Sequence, residues 1–489
     1  MIKSLNLENF QGMTEAHNIR FAPITLVFGP NSSGKSSLIR SLLLLKQSVD
    51  FGNSSYQGLE FQGSAIDLAS FENVINGHDL DKTLTVGISS DVHNTGLPPG
   101  RNLMRQIMAQ LFDILDEVEF VSKSTDDGLE SSTIVFHFRN EFAPITIEIP
   151  ESWQDNSASV GIRVPQDFFQ LSAESIESLN AIYKSFIFLA ERPDHFEEDD
   201  EFAAFLKRDE VPERDDWLSQ LKPLQFRGLF PIIPLRVSDQ DDQSYALNRV
   251  ATIWEALFRI ARISITRSLD LVRHVPPLRD IPERLLVVDA SSPSTQSTAL
   301  DKKVSAWIER LTDGRYSLQN IEFKPTQVGF MGSLRARLLI ENKTNTQVSF
   351  KDVGVGLSQV LPIVEVLLDN ASRIHPTNRV ERTVVIEQPE LHLHPKMQAE
   401  LMELFIETVT SENNKVQVIA ETHSESMILR LQKRIREGSL DPSKVSILYA
   451  ETTHEGFNTI RELELDEHGE FVEDWPLSFS DVRVKEIFE

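Results

Sequence analysis

Residues 29–36 read Gly-Pro-Asn-Ser-Ser-Gly-Lys-Ser, the form Gly-x-x-x-x-Gly-Lys-Ser. Their flanks turn this spacing into a structural demand. Ile24-Thr25-Leu26-Val27-Phe28 is a short apolar, β-prone run with the composition of a buried strand. From Ser37 to Val49 the leucines at 38, 42 and 45 share one helical face. Strand, glycine-rich loop and helix in that order predict a cradle for phosphates. Gly29 and Gly34 let the backbone turn and come close to a phosphate. The loop N–H groups and the helix N-terminus face the negative charge. Lys35 is placed to reach the β- and γ-phosphates, and the Ser36 hydroxyl to ligate Mg²⁺. Asn31 stands at the loop crest, where its amide meets the γ-phosphate, and Ser33 and Ser37 complete the expected cofactor-binding set. The cofactors this predicts are ATP and Mg²⁺.

Two further apolar runs end in polar clusters. Thr383-Val384-Val385-Ile386 leads into Glu387-Gln388-Pro389-Glu390, then Leu391-His392-Leu393-His394-Pro395 and a helix over about 396–410. A carboxylate at the C-terminal tip of a buried strand lies beside the phosphate loop in a doubly wound sheet, so Glu387 is the expected second metal ligand beside Ser36. Gln388 stands where a carboxylate ordinarily polarises the attacking water. A glutamine orients water but cannot take its proton. Either Glu390 supplies the base or turnover is slow. His392 and His394 alternate on an extended segment, as metal ligands or as part of a shaped loop. Val416-Gln417-Val418-Ile419-Ala420 ends in Glu421-Thr422-His423-Ser424, with a helix from about Glu425. His423 is the expected donor to the γ-phosphate; the alternative is a helix cap by Thr422 or Ser424 beside an idle histidine.

Upstream, Val353-Gly354-Val355-Gly356-Leu357-Ser358-Gln359 opens an apolar helix reaching about Leu368. Gly354 and Gly356 form a flexible turn, and the helix start is a second anion seat or an ordinary glycine-containing N-terminus. One γ-phosphate needs one phosphate loop, so a second seat makes sense when it closes over ATP held by another copy. Gly356 and Ser358 are its candidate residues.

Taken together and in this order, these motifs resemble the ATP-binding-cassette head of the RecF/SMC-like ATPases, and within that group the prokaryotic family of OLD-type and phage-defence ATPases. Ile2-Lys3-Ser4-Leu5-Asn6-Leu7-Glu8-Asn9-Phe10 at the start, and the pairings Pro277-Leu278-Arg279 and Pro282-Glu283-Arg284, also carry the likeness. The resemblance covers residues 1–90 and 345–450 well and the middle poorly. It implies that Ser358 and its neighbours are a degenerate signature motif, departing from the common Leu-Ser-Gly-Gly form. It also implies a head-to-tail homodimer, or an oligomer of dimers, with ATP sandwiched at the interface. Gln62 and Gln47 are the candidates for the family's conserved glutamine.

The expected fold is therefore α/β: an ABC-type P-loop ATPase head, residues 1–95 and 341–489, with an inserted mainly helical lobe at 96–340. Strands are expected at Ile2–Leu7, Ile19–Phe21, Thr83–Ile88, Ser132–Arg139 and Pro144–Ile149. Helical spacing runs through Arg101–Val118, Leu171–Ala190 and Leu247–Val272. No heptad pattern is long enough for an SMC-like coiled coil.

Charge bears on partners. The 489 residues carry 48 Lys and Arg against 74 Asp and Glu, a net −26. A chain gripping DNA over its whole surface is basic, so any DNA contact falls to a local patch, with Arg262, Arg267, Arg273, Arg279 and Arg284 as the candidate. These arginines equally have many carboxylates to pair with. The acidic stretch Asp194–Asp216 is a solvated face or a partner-docking segment. No apolar run approaches the length of a membrane span. The N-terminus lacks a signal peptide's apolar core, and the absence of cysteine is compatible with a cytoplasmic location. Two functions stand: an ATPase sensor of an anti-phage system controlling a separate nuclease or toxin effector, or a DNA-repair or chromosome-maintenance ATPase. An ATP-gated scaffold with little turnover is a third.

Overall fold

The computed structural model describes residues 1–14, 17–50, 58–90, 115–124, 130–138, 144–149, 161–163, 225–227, 230–232, 258–259, 261–280, 286–289, 294–323, 332–369, 382–411 and 416–473. They fall into two compact units. One comprises Met1–Arg20, Ser37–Leu271 and Thr452–Thr459; the other comprises Phe21–Ser36, Val272–Glu451 and Ile460–Glu489.

The second unit is built on a six-stranded sheet. Its strands are β3 (Ile24–Phe28), β11 (Val272–Val275), β16 (Arg382–Glu387), β17 (Val416–Glu421), β18 (Val445–Thr452) and β19 (Asn458–Leu463), in the order β11-β16-β17-β3-β18-β19. From β11 to β18 every pairing is parallel. Every residue of β3 and β17 is buried, as expected of parallel strands covered on both faces. Helices α4 (Ser294–Leu311), α5 (Val355–Leu368), α6 (Pro395–Thr410) and α7 (Glu425–Arg436) belong to this unit. Leu26, Phe28, Val384, Ile386 and Val418 of the sheet share one core with Ile308, Val360, Val364, Leu404, Phe405, Ile428 and Leu431 of the helices. Each such aliphatic side chain contributes about 1.5–3 kcal/mol by leaving water. A side sheet orders β12 (Leu286–Asp289), β14 (Gly332–Glu341) and β13 (Tyr316–Phe323), with β15 (Thr346–Val348) paired to β14. The C-terminal tips of β3, β16 and β17 lie at one edge of the main sheet, where parallel α/β sheets place their ligands.

The first unit holds a seven-stranded antiparallel sheet. Its strands β1 (Ile2–Glu8), β2 (His17–Arg20), β4 (Thr83–Ser90), β5 (Leu115–Ser124), β6 (Glu130–Phe138), β7 (Ile145–Ile149) and β8 (Gly161–Arg163) run in the order β2-β1-β4-β5-β6-β7-β8. A short pair, β9 (Gln225–Arg227) and β10 (Phe230–Ile232), a helical turn α2 (Phe71–Val74) and a helix α3 over 261–270 also lie here. Helix α1 (Lys35–Asp50) starts in the second unit and continues in the first.

The strands expected at 2–7, 83–88, 132–139 and 144–149 form, as does part of the helix expected at 247–272. The helical reading of Arg101–Val118 fails at its described end, because 115–118 begin β5. Val118 and Phe120 are fully buried while Glu117 and Glu119 alternate with them on the other face, a period of two that overrides the weaker helical spacing. Residues 101–114, Leu171–Ala190, Asp194–Asp216 and Arg284 lie outside the described residues. Among the described residues, no helix is long and apolar enough to cross a membrane.

Candidate functional site

The loop after β3 is shaped by three residues with positive φ: Gly29 at 145°, Ser32 at 63° and Gly34 at 95°. Gly29 has no alternative. A Cβ there would stand 2.0 Å from the Ala450 carbonyl oxygen, well inside any tolerated contact. Asn31 and Ser32 are exposed at the crest, whereas Ser33 is wholly buried and its hydroxyl donates to Pro30 O at 2.9 Å. Ser33 therefore shapes the loop from within. Helix α1 begins at Lys35, so its first-turn N–H groups open onto the loop.

Lys35 is only 4 % exposed. Its ammonium folds over the loop and donates to Gly29 O at 3.0 Å and Pro30 O at 2.6 Å. Burial pushes its pKa down, and the charges of Glu421 and Glu390 oppose that shift. The Ser36 hydroxyl donates to Glu421 Oε2 at 2.9 Å. Ser37, expected among the cofactor-binding residues, donates its hydroxyl to Gln11 Oε1 at 2.6 Å within the other unit.

Glu387 and Glu421 end neighbouring strands and are register partners. Adjacent strands lie about 4.8 Å apart and in-register side chains share a face, so two carboxylates stand side by side. Each is held by its own partner. Glu387 Oε1 meets His274 Nε2 of β11 at 2.7 Å, and Glu421 takes the Ser36 proton donor. Burial pushes the Glu421 carboxyl up; the Ser36 hydrogen bond resists, the Glu387 charge adds to the rise, Lys35 opposes it and Glu390 adds again. The place is thus short of positive charge.

Gln388 follows with φ 45°, a left-handed backbone fixed by its N–H donating to Glu421 O at 2.8 Å. The Glu390 carboxylate accepts from Thr422 Oγ1 at 2.7 Å and from the His423 N–H at 2.8 Å. It therefore braces the turn that carries His423. That turn is also held by Thr422 N–H on Val27 O at 2.9 Å, and Ser424 caps α7 through Met427 N–H. The cap expected at this segment forms through Ser424, and His423 is half-buried within reach of the charge of Lys35. Burial pushes His423 down, Lys35 pushes it further and Glu390 opposes. At neutral pH it is a neutral imidazole with one N–H to give. His394 caps α6, its Nδ1 accepting from Lys396 N–H.

Ser358 is corrected. Expected to reach toward a second copy, it is fully buried, and its hydroxyl donates to Phe350 O at 3.0 Å. It lies on the core side of α5, and the exposed tip of that helix is Gly354 and Val355. Gly356 is not a flexible joint: a Cβ there would fall 2.4 Å from His392 O, so it is the residue that lets α5 approach the 391–393 turn. Of the candidate arginine patch, Arg279 is buried, while Arg267 and Arg273 are exposed. Arg279 is 7 % exposed and donates to the main-chain oxygens of Gln359, Glu387 and Gln388. In the other unit, Gln47 bonds to Glu60 O and Ile66 N–H, and Gln62 to Ala69 O.

Glu421, His274, Arg279 and Gln359 were not singled out from sequence for this site. Glu421 carried a signal, since it repeats the pattern of an apolar strand ending in an acid. The others depend on register and burial.

The donors Ser36 Oγ, Glu387 and Glu421 are all oxygen, the set a hard divalent cation takes. Among the described residues no three His, Asp or Glu form a closed metal cage. Mg²⁺ in such sites takes one or two carboxylates and completes its shell with water and substrate phosphate. The residues fit Mg²⁺.

Residues 24–429 match the protein-family model described as "AAA domain, putative AbiEii toxin, Type IV TA system". No curated protein matches the chain. Among solved structures, it is similar to the Smc head domain with an extended coiled coil bound to the C-terminal domain of ScpA from Pyrococcus furiosus, with 12% identity, 100% of this chain and 99% of that chain covered, and a TM-score of 0.41. It is also similar to the SMC head domain from Thermotoga maritima, with 10% identity, 95% and 99% covered, and a TM-score of 0.35.

Proposed function

This chain belongs to the AbiEii-type AAA-domain family, and from that premise we propose that it is an ATP-binding and ATP-hydrolysing switch. We place it in a prokaryotic toxin or anti-phage defence system, controlling a separate nuclease or toxin effector. The observation that carries the reading is the convergence in one compact unit of Lys35 and Ser36 on the loop, Glu387 and Glu421 on adjacent strand tips, and His423 braced by Glu390.

In this reading the loop N–H groups and Lys35 bind the β- and γ-phosphates, Lys35 leaving the loop carbonyls it now holds. Ser36, Glu387 and Glu421 would hold Mg²⁺, the Ser36 hydroxyl still donating its hydrogen bond to Glu421. Bound there, Mg²⁺ supplies charge neutralisation across the phosphates. His423 donates to the γ-phosphate as a neutral imidazole. Gln388 orients the attacking water. It takes no proton, so turnover is slow, which suits a switch more than a motor. Asn31, exposed at the loop crest, meets the γ-phosphate, and a second copy closes over the nucleotide through the exposed α5 tip at Gly354 and Val355.

The effector half is tested by capture from the native host with ATP and Mg²⁺, comparing wild type with Lys35→Ala and Glu387→Ala. The reading expects a nuclease- or toxin-like protein retained in a nucleotide-dependent manner and lost in both variants. Recovery of DNA and repair factors with no effector would replace it by the DNA-maintenance reading, which has lost Arg279 from its proposed contact patch.

A further inference from the structure

Arg279 follows β11 by four residues and is buried, yet the hydrogen bonds it makes are to main-chain atoms and one amide. Its guanidinium Nη1 donates to Gln359 O at 3.3 Å; Nη2 donates to Glu387 O at 2.5 Å and Gln388 O at 3.3 Å. Nε is buried without a hydrogen-bond partner. Gln359, on α5, returns the grip: its Oε1 accepts from Arg279 N–H at 3.2 Å and its Nε2 donates to Arg279 O at 2.7 Å. Burial pushes the guanidinium down to about 10, against the charges of Glu390 and Glu387, so it stays charged at neutral pH.

A buried charge without a bidentate carboxylate partner is a poor way to gain stability. An apolar residue of similar size would fill the space without desolvating a cation or stranding an N–H. What an apolar residue cannot do is tie three carbonyls on two elements. The planar fork reaches α5 and the end of β16 together, which a lysine's single ammonium does less rigidly. Gln388, the residue on one of those carbonyls, is held in left-handed backbone, an arrangement that persists only when its surroundings over-determine it. One turn N-terminal to Gln359 on the same helix, Val355 is 48 % exposed at the α5 tip.

The geometry points to Arg279 as a positioning strut that couples α5 to the backbone of Glu387 and Gln388, so that engagement of the α5 tip by a second copy sets the Gln388 amide for hydrolysis. This rests on the proposed ATPase and its second-copy closure. Gln359 is the other half of the strut.

The test uses the full chain with Arg279→Met, Arg279→Lys and Gln359→Met. Three quantities are read: fluorescent ATP-analogue affinity with Mg²⁺, turnover against protein concentration, and hydrogen exchange of the nucleotide-free protein. Arg279→Met is expected to lower saturated turnover by about 10-fold or more and abolish its rise with protein concentration. Nucleotide affinity should stay within about 3-fold. Arg279→Lys should recover part of the turnover. The double Met variant should lose no more than Arg279→Met alone, since the two residues act as one unit. Exchange should quicken over 355–361 and 386–391 and stay unchanged over 24–28. Wild-type turnover in Arg279→Met, or affinity and turnover falling by one common factor, overturns the strut. If Arg279→Met does not fold, Gln359→Met carries the same readouts. If wild type hydrolyses no ATP, the ATPase reading fails on its own, and the exchange pattern alone decides for or against the strut.

Discussion

Glu390 is the residue whose removal the geometry prices most directly. Its two oxygens accept from Thr422 Oγ1 and from the His423 N–H, and Thr422 is 0 % exposed. Hydrogen bonds to a charged acceptor are worth about 1.5–3 kcal/mol each, and a buried donor left alone costs about 1–3 kcal/mol. Glu390 itself is half-buried, so water reaches part of the gap. Glu390→Ala should therefore weaken the local 422–423 turn by roughly 2–3 kcal/mol. Glu390→Gln should cost about 1 kcal/mol. Its carbonyl can still take the His423 N–H, and Thr422 can turn its proton toward Met427 Sδ, 3.8 Å away, while accepting from the new amide. The assay is native-state hydrogen exchange at the 422–423 amides, which reads a local opening without requiring a two-unit chain to unfold in one step. At about 1.4 kcal/mol per decade, Ala should speed exchange by roughly 30–150-fold and Gln by about 5-fold. If Ala leaves exchange within about 2-fold of wild type, or Gln matches Ala, the brace is not what holds His423.

Three more outcomes follow from particular contacts. Gly29→Ala drives a Cβ to 2.0 Å from Ala450 O at φ 145°, so it should cost more than about 3 kcal/mol and appear as lost thermal stability even without nucleotide. Glu421→Gln removes the carboxylate that holds the Ser36 proton and faces Glu387. The nucleotide-free protein should be no less stable, and isothermal titration should show weaker Mg²⁺ dependence of nucleotide binding; unchanged Mg²⁺ dependence would remove Glu421 from the metal set. In the other unit, Glu117 is pushed from 4.5 up to about 7, first by burial, then by Glu119, with His137 opposing and Asp116 adding. A carboxyl whose folded pKa is raised binds its proton more tightly when folded, so stability is full below about 4.5 and falls as pH rises toward 7. The loss is about 1–2 kcal/mol after allowing for solvent at this part-exposed site, and Glu117→Gln should flatten that part of a stability–pH profile.

The strands around the phosphate loop were legible because they are buried on both faces. A run such as Val416–Ala420 has one reading when its length is that of a strand and an acid follows it. The loop was legible because glycine at 29 and 34 answers a backbone need that no other residue meets. Ser358 was misplaced for a reason of the same kind. Its neighbours suggest an anion seat, but which side of α5 faces the core is decided by Leu357, Val360, Leu361 and Val364 together. Arg279 read as part of a cationic patch because charge is visible in sequence and burial is not. The carbonyls that receive it lie 80 to 109 residues away. Glu421 closes an apolar strand as Glu387 does, but that the two are register partners follows from the strand pairing, which a sequence does not display.

The central claim is that Lys35, Ser36 and the paired strand-tip carboxylates form a working ATP site. Phosphate release by the purified full chain, with and without Mg²⁺, tests it most directly against Lys35→Ala and Glu387→Gln. The account predicts slow, Mg²⁺-dependent release in the wild type, abolished in both variants while their thermal stability remains near wild type. Release that persists in either variant, or a wild type that binds Mg²⁺ and ATP no better than Lys35→Ala, would contradict it.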